Sequence, residues 1–168
     1  ARASDPVRAE IERGLAAQAD ALLSDVTRLV DERLQNAVTW RRLEVMQDLK
    51  VGDVDKRLAD FLARLAAGYE GLYRELAASD AAGRIVASSD AARIGQASIP
   101  GTVWQAVRLG DATVTLELPR RHEGDSGPGM TLHVPLASSF GGALLGTLQL
   151  RVDWGRIDRL LERGAVAG

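Results

Sequence analysis

Apolar residues at Val7, Ile11, Leu15, Leu22, Val26, Leu29, Leu34, Val38 and Val45 follow one another mostly in steps of three or four. That spacing lays one apolar stripe along a helix of about forty residues, about 60 Å at 1.5 Å per residue. Ser4-Asp5-Pro6 supplies a start, a capping side chain followed by proline where its missing N–H costs nothing. A helix this long overhangs a small domain, so part of its stripe is expected to meet a partner or to lead into a membrane anchor. Gly52 interrupts the pattern. Asp53 then caps a second helix, with Leu58, Phe61, Leu62 and Leu65 on one face and Gly68 at its end.

The period then shortens. Tyr69 to Ser79 and Ile85 to Ser88 read as strands around an Asp80-Ala81-Ala82-Gly83 turn. Ile99 to Leu109 reads as a short helix carrying Trp104 and ended by Gly110. Thr113 to Leu118, Thr131 to Val134 and Ala143 to Val152 alternate as strands, the last after a Gly141-Gly142 turn. Asp153 begins a final helix with Ile157, Leu160 and Leu161 as its apolar face. The order predicts an α+β domain, a five-stranded antiparallel sheet with a long N-terminal and a short C-terminal helix. The predicted parts are a long helix over 5–50, a core over 53–152 and an exit helix over 153–163, within a single domain spanning 1–168.

Composition narrows the class. The 168 residues are 46% hydrophobic and 26% charged, which suits one globular domain. The formal net charge of -2 argues against a nucleic-acid partner, since the basic clusters Arg41-Arg42 and Arg120-Arg121-His122 are short. With no cysteine there is no disulfide scaffold, thiol nucleophile or cysteine-held zinc. Between Ser126 and Leu150 no acidic or basic side chain other than His133 occurs, a length that would span a membrane. Pro128, Pro135, five glycines and the period-two alternation make this run strand, turn and strand instead. The chain begins without Met and ends Gly-Ala-Val-Ala-Gly, as expected of a fragment of a longer protein.

Several residues together resemble the Cache domain, the PAS-like extracytoplasmic sensor module of bacterial transmembrane receptors. They are Tyr69 and Tyr73 ahead of Leu76, the hairpin from Asp80 to Ser89, and Ile94-Gly95. Farther on, Trp104 to Gly110 resembles the family's helix over the pocket. Leu132-His133-Val134-Pro135, Leu145-Gly146 and Val152-Asp153-Trp154 resemble its closing hairpin and exit. The likeness covers nearly the whole chain and implies a single PAS-like sheet. One position departs: amino-acid-binding members carry arginine two residues before the pocket tryptophan, and here Thr102 stands there. The carboxylate-clamping role is therefore not carried over.

Alternation places Thr113, Thr115 and Glu117 on one face of their strand, Thr131 and His133 on one face of the next, and Thr147, Gln149 and Arg151 on one face of the last. If these faces coincide under the Trp104 helix, they supply the polar groups of a pocket. The alternative is a solvated sheet face. The expected ligand-binding residues are Trp104, Arg108, Thr115, Glu117, His133 and Thr147. Two histidines, His122 and His133, near Glu117 or Glu123 make a poor metal set, and no metal or other cofactor is expected. Ser88-Ser89 and Ser138-Ser139 lack nucleophile-elbow glycines and an evident His/Asp partner, so no catalytic residue is assigned.

The resemblance implies the periplasmic ligand-sensing domain of an inner-membrane receptor, a sensor histidine kinase of a two-component system, flanked by transmembrane helices. A small-molecule ligand and a homodimer are the expected partners, with Leu22, Val26 and Leu29 as the dimer seam. Trp40 and Arg41-Arg42 serve either that seam or packing against the sheet. Trp154 is either core or an anchor near the membrane. The alternative is a ligand-free dimerisation module of a chemoreceptor or diguanylate cyclase.

Overall fold

The computed structural model describes residues 5–98, 101–118, 129–153, 155, 159 and 162. The chain forms two compact units, one holding Ala1–Glu32 with Gly155–Gly168, the other Arg33–Trp154. Helix α1 runs Asp5–Trp40, ten residues shorter than the periodicity predicts. Its continuation is a 3-10 helix, Glu44–Val51, reached through the extended backbone of Leu43. Helix α2 spans Arg57–Gly68. Trp154 and the apolar residues Ile157, Leu160 and Leu161 of the predicted exit helix lie outside the described residues.

Asp53 caps α2 as expected, from four residues ahead of it. Its carboxylate accepts the Leu58 N–H at 2.8 Å and the Ala59 N–H at 3.0 Å, satisfying two donors that a helix start leaves open. The residue at the cap position itself, Lys56, provides no side-chain cap.

Six strands follow, β1 (Tyr73–Asp80), β2 (Ile85–Ser88), β3 (Thr102–Leu109), β4 (Ala112–Leu118), β5 (Gly129–Ala137) and β6 (Leu144–Asp153), in the antiparallel order β2-β1-β6-β5-β4-β3. The strand beyond the expected five is β3, which stands where the sequence predicts the Trp104 helix. Thr102 to Leu109 pairs with β4 through a hairpin whose turn is Gly110-Asp111, with Leu109 opposite Ala112. A register shift between Val103 and Gln105 breaks the alternation that would have marked this strand in the sequence.

Pairing fixes which residues share a face. Leu76 lies opposite Leu150, Leu150 opposite Leu132, and Leu132 opposite Leu116. All four are buried, and with them Val114, Val134 and Leu148 form the sheet's apolar face. Met46 and Leu49 of the 3-10 helix, Leu58 and Leu62 of α2, and Leu34, Ala37 and Trp40 of α1 complete the core. The apolar faces of these helices and of the sheet must bury one another, and that shared burial holds the Arg33–Trp154 unit together. Gly146 is required by close approach: a Cβ there would lie 1.8 Å from the Ser79 carbonyl oxygen and 2.8 Å from Leu49 Cδ2.

Candidate functional site

The opposite face of the sheet is polar. Ser79 faces Thr147, Glu75 faces Arg151, Gln149 faces His133, and His133 faces Thr115. The three strand faces separated in the sequence thus coincide, as a pocket requires. Thr115, Glu117, Thr131, His133, Thr147, Gln149 and Arg151 are all half-buried, between core and open solvent.

At the β1 end a buried carboxylate organises this face. Glu75 accepts the Ser88 hydroxyl at 2.5 Å, with Arg93 Nε at 3.4 Å and Arg151 at 3.6 Å. Arg93 arrives on the short 3-10 turn Ala91–Arg93, whose start is capped by the Asp90 carboxylate accepting the Ala92 N–H. Gln149 donates to Ser79 Oγ at 3.0 Å and to Ser98 Oγ at 2.6 Å, tying the β2–β3 connection to the middle of the sheet. The same connection protects the β2 edge, through Ile85 N–H to Gln96 oxygen and Gly95 N–H to Ile85 oxygen.

At the β4 end Glu117 and His133 meet, with Nε2 2.9 Å from Oε2. The pair is close but not aligned as a hydrogen bond. Glu117 Oε2 also accepts the Gly101 N–H at 2.9 Å. Burial pushes the His133 imidazole below its ordinary pKa, against the opposing pull of the Glu117 charge.

Of the expected ligand residues, the structure brings Thr115, Glu117, His133 and Thr147 to one face. Arg108, opposite Thr113, shares that face at its outer edge, whereas Trp104 sits at the register shift of β3 and forms no helix over the face. Both lie on the edge strand β3 and are exposed, Trp104 to 57%. Glu75, Ser79, Ser88, Arg93 and Ser98 were missed. A lone acid within the apolar run Leu72 to Ala78 was the one sequence signal for Glu75. Arg93 and Ser98 reach the face by loop geometry, which periodicity does not encode. His122 and Glu123 lie outside the described residues, and no group of three metal-ligating side chains occurs among those described.

Trp40 packs against the domain: its ring meets Tyr69 at 5.5 Å and Tyr73 at 5.6 Å between centroids. Arg41 and Arg42 both reach Asp111 at 2.7 Å, holding the β3–β4 turn. Leu22, Val26 and Leu29 are half-buried within one chain, whereas Val7, Ile11 and Leu15 of the same helix are exposed.

A single antiparallel sheet with helices on its apolar face makes an α+β fold that several solved sensor domains share. The sensor domain of the histidine kinase DctB from V. cholerae superposes with a TM-score of 0.68 at 14% identity, over 91% of this chain and 59% of that one. The E. coli DcuS sensor domain superposes with a TM-score of 0.60 at 13% identity, over 81% and 96%. The extracellular domain of vpHK1S-Z8 gives 0.59 at 15% identity, over 94% and 62%. The chain therefore spans about three fifths of the DctB and vpHK1S-Z8 chains and nearly all of the DcuS one. No protein-family model matches the chain, and no curated protein does. No described helix is long and apolar enough to cross a membrane.

Proposed function

We propose that this chain is the extracytoplasmic ligand-sensing domain of a bacterial membrane receptor, of the sensor histidine kinase kind, and that its own role is binding rather than catalysis. The observation that carries the reading is the convergence of Glu75, Arg93, Gln149, Arg151 and His133 on one half-buried sheet face beneath the β2–β3 connection. Two guanidinium groups and one buried carboxylate meet at the β1 end. A small polar ligand would place an acidic or carbonyl oxygen there and its remaining polar groups toward Thr131, His133 and Thr147. Binding would bias the sheet between two geometries, read out through the terminal helices and the membrane spans they lead to. The likeness of the fold to the DctB and DcuS sensor domains and to the extracellular domain of vpHK1S-Z8 supports this reading.

A homodimer along α1 completes the proposal, with Leu22, Val26 and Leu29 at its seam. Leu22→Asp, Val26→Asp or Leu29→Asp then converts dimer to monomer in sedimentation, and unchanged sedimentation rejects the seam.

Thermal denaturation against small carboxylates, amino acids, amines and purines tests the sensing role. A ligand at one hundred times its dissociation constant adds about 2.7 kcal/mol, several degrees in the midpoint. A flat response across the panel favours a ligand-free dimerisation module instead.

A further inference from the structure

Glu117 Oε2 serves two groups at once, and only one of them can change charge. The first is the Gly101 N–H, 2.9 Å away, where the β2–β3 connection enters β3. The second is the His133 imidazole, also 2.9 Å away but poorly aligned. Gly101 is pressed against β4, since a Cβ on it would stand 2.5 Å from the Leu118 carbonyl oxygen and 3.3 Å from Glu117 Oε2. A fixed backbone donor and a titratable ring thus share one oxygen. The side chains of His133 and Glu117 are only 17% and 13% exposed, so a charge change there is weakly screened.

We propose that His133, Glu117 and the Gly101 amide form a proton-operated latch at the entrance to β3, in which protonating the imidazole draws the shared carboxylate oxygen toward the ring and loosens its hold on Gly101. The proton comes from solvent and goes to the unprotonated ring nitrogen, after which both ring nitrogens are donors. The neutral ring holds Oε2 weakly, as its off-line geometry shows. The imidazolium holds it through a charge-assisted contact about twice as strong as a neutral one. The Gly101 amide then loses its acceptor, and the end of the connection that covers the polar face is released. Proton concentration becomes an input to this face, independent of any small ligand.

Other charges bear on the ring from each neighbouring strand. Across β6, Gln149 lies opposite His133 and Arg151 opposite Thr131. On β1, Glu75 lies opposite Arg151, and Arg93 reaches Glu75 from the β2–β3 connection. On β3, Arg108 lies opposite Thr113. Glu117 is the anion in direct contact and favours protonation, while burial of the ring opposes it, so the latch stays closed at neutral pH and opens on acidification.

The chain has two histidines, which makes the test simple to assign. The 168-residue chain, uniformly labelled with nitrogen-15, is titrated by NMR from about pH 7.5 to about pH 5, the range in which histidine switches. The His133 ring protons and the Gly101 amide are expected to shift with a common midpoint, and Gly101 amide exchange to rise about tenfold after correction for intrinsic pH dependence. In His133→Gln the Gly101 response disappears, while His122→Gln leaves it unchanged. Different midpoints in the wild-type chain, or a Gly101 response that survives in His133→Gln, overturns the latch. The wild-type midpoints decide the matter even if a variant fails to fold.

Discussion

Tyr73 and Glu75 are two residues apart on β1, yet they serve opposite faces of the sheet. Alternation alone would put them together. A register shift between them against β6 pairs Tyr73 with Val152 on the apolar side and Glu75 with Arg151 on the polar side. Tyr73 consequently joins the α1 cluster, where Asn36 donates to its hydroxyl at 2.7 Å and the Arg33 guanidinium lies 5.5 Å from its ring. Arg74, between them, contacts Asp153 at the end of β6 at 3.5 Å. Three consecutive residues therefore link helix, polar face and the end of β6.

Replacing Glu75 tests how far this carboxylate organises the face. Glu75→Ala leaves Arg93 and Arg151 facing each other and the Ser88 hydroxyl without its acceptor. A loss of about 2–3 kcal/mol in chemical denaturation is expected. Tyr73→Phe, which removes the Asn36 bond to its hydroxyl, should cost about 1 kcal/mol.

Gly146→Ala is the most severe single change expected within the sheet. The added methyl would stand 1.8 Å from a backbone oxygen of β1 and 2.8 Å from Leu49, so β6 must move away from β1 and Leu49 must shift as well. A loss of about 3 kcal/mol is expected, read as a shift of the denaturation midpoint at unchanged slope.

Asp53 holds the start of α2 with both carboxylate oxygens while its own backbone sits at φ 51°. Asp53→Ala loses the cap and strains that backbone, at about 2 kcal/mol. Asp53→Asn keeps one acceptor and tolerates the conformation, so less than half of that loss should appear.

Stability should fall with acid in two windows. The folded-state pKa of His133 lies below its unfolded value, so the unfolded chain takes up the proton first and stability declines as pH drops below about 6.5. Asp48 is held below the usual carboxylate range by its hydrogen bonds from Arg57, so its contribution is present above about pH 4 and is lost below it. His133→Gln should flatten the first window and leave the second, as measured by denaturation midpoints across pH.

The helical start, the Asp53 cap, the β1–β2 hairpin and the three later strands were legible because each carries its own period and its own punctuation. Ile85 to Ser88 matches β2 residue for residue. The Trp104 segment was misread because its bulge conceals the alternation and Gly110 resembles a helix stop. Read with Asp111, Gly110 is instead the two-residue turn of a hairpin. Helix α1 was extended too far because the 3-10 turns that follow keep nearly the same spacing of apolar residues, with Met46 and Leu49 buried in continuation of Trp40. The polar face was half legible. Thr115, Glu117, His133 and Thr147 follow from alternation, whereas Glu75 needs the bulge and Arg93 and Ser98 need the fold.

The most direct test of the sensing face is amide mapping of the first ligand that raises the thermal midpoint. The account predicts shifts concentrated at Glu75, Ser79, His133, Gln149 and Arg151, lost in Gln149→Ala and kept in Trp104→Ala. Shifts concentrated on β3 around Trp104, with the centre of the polar face unmoved, would contradict it.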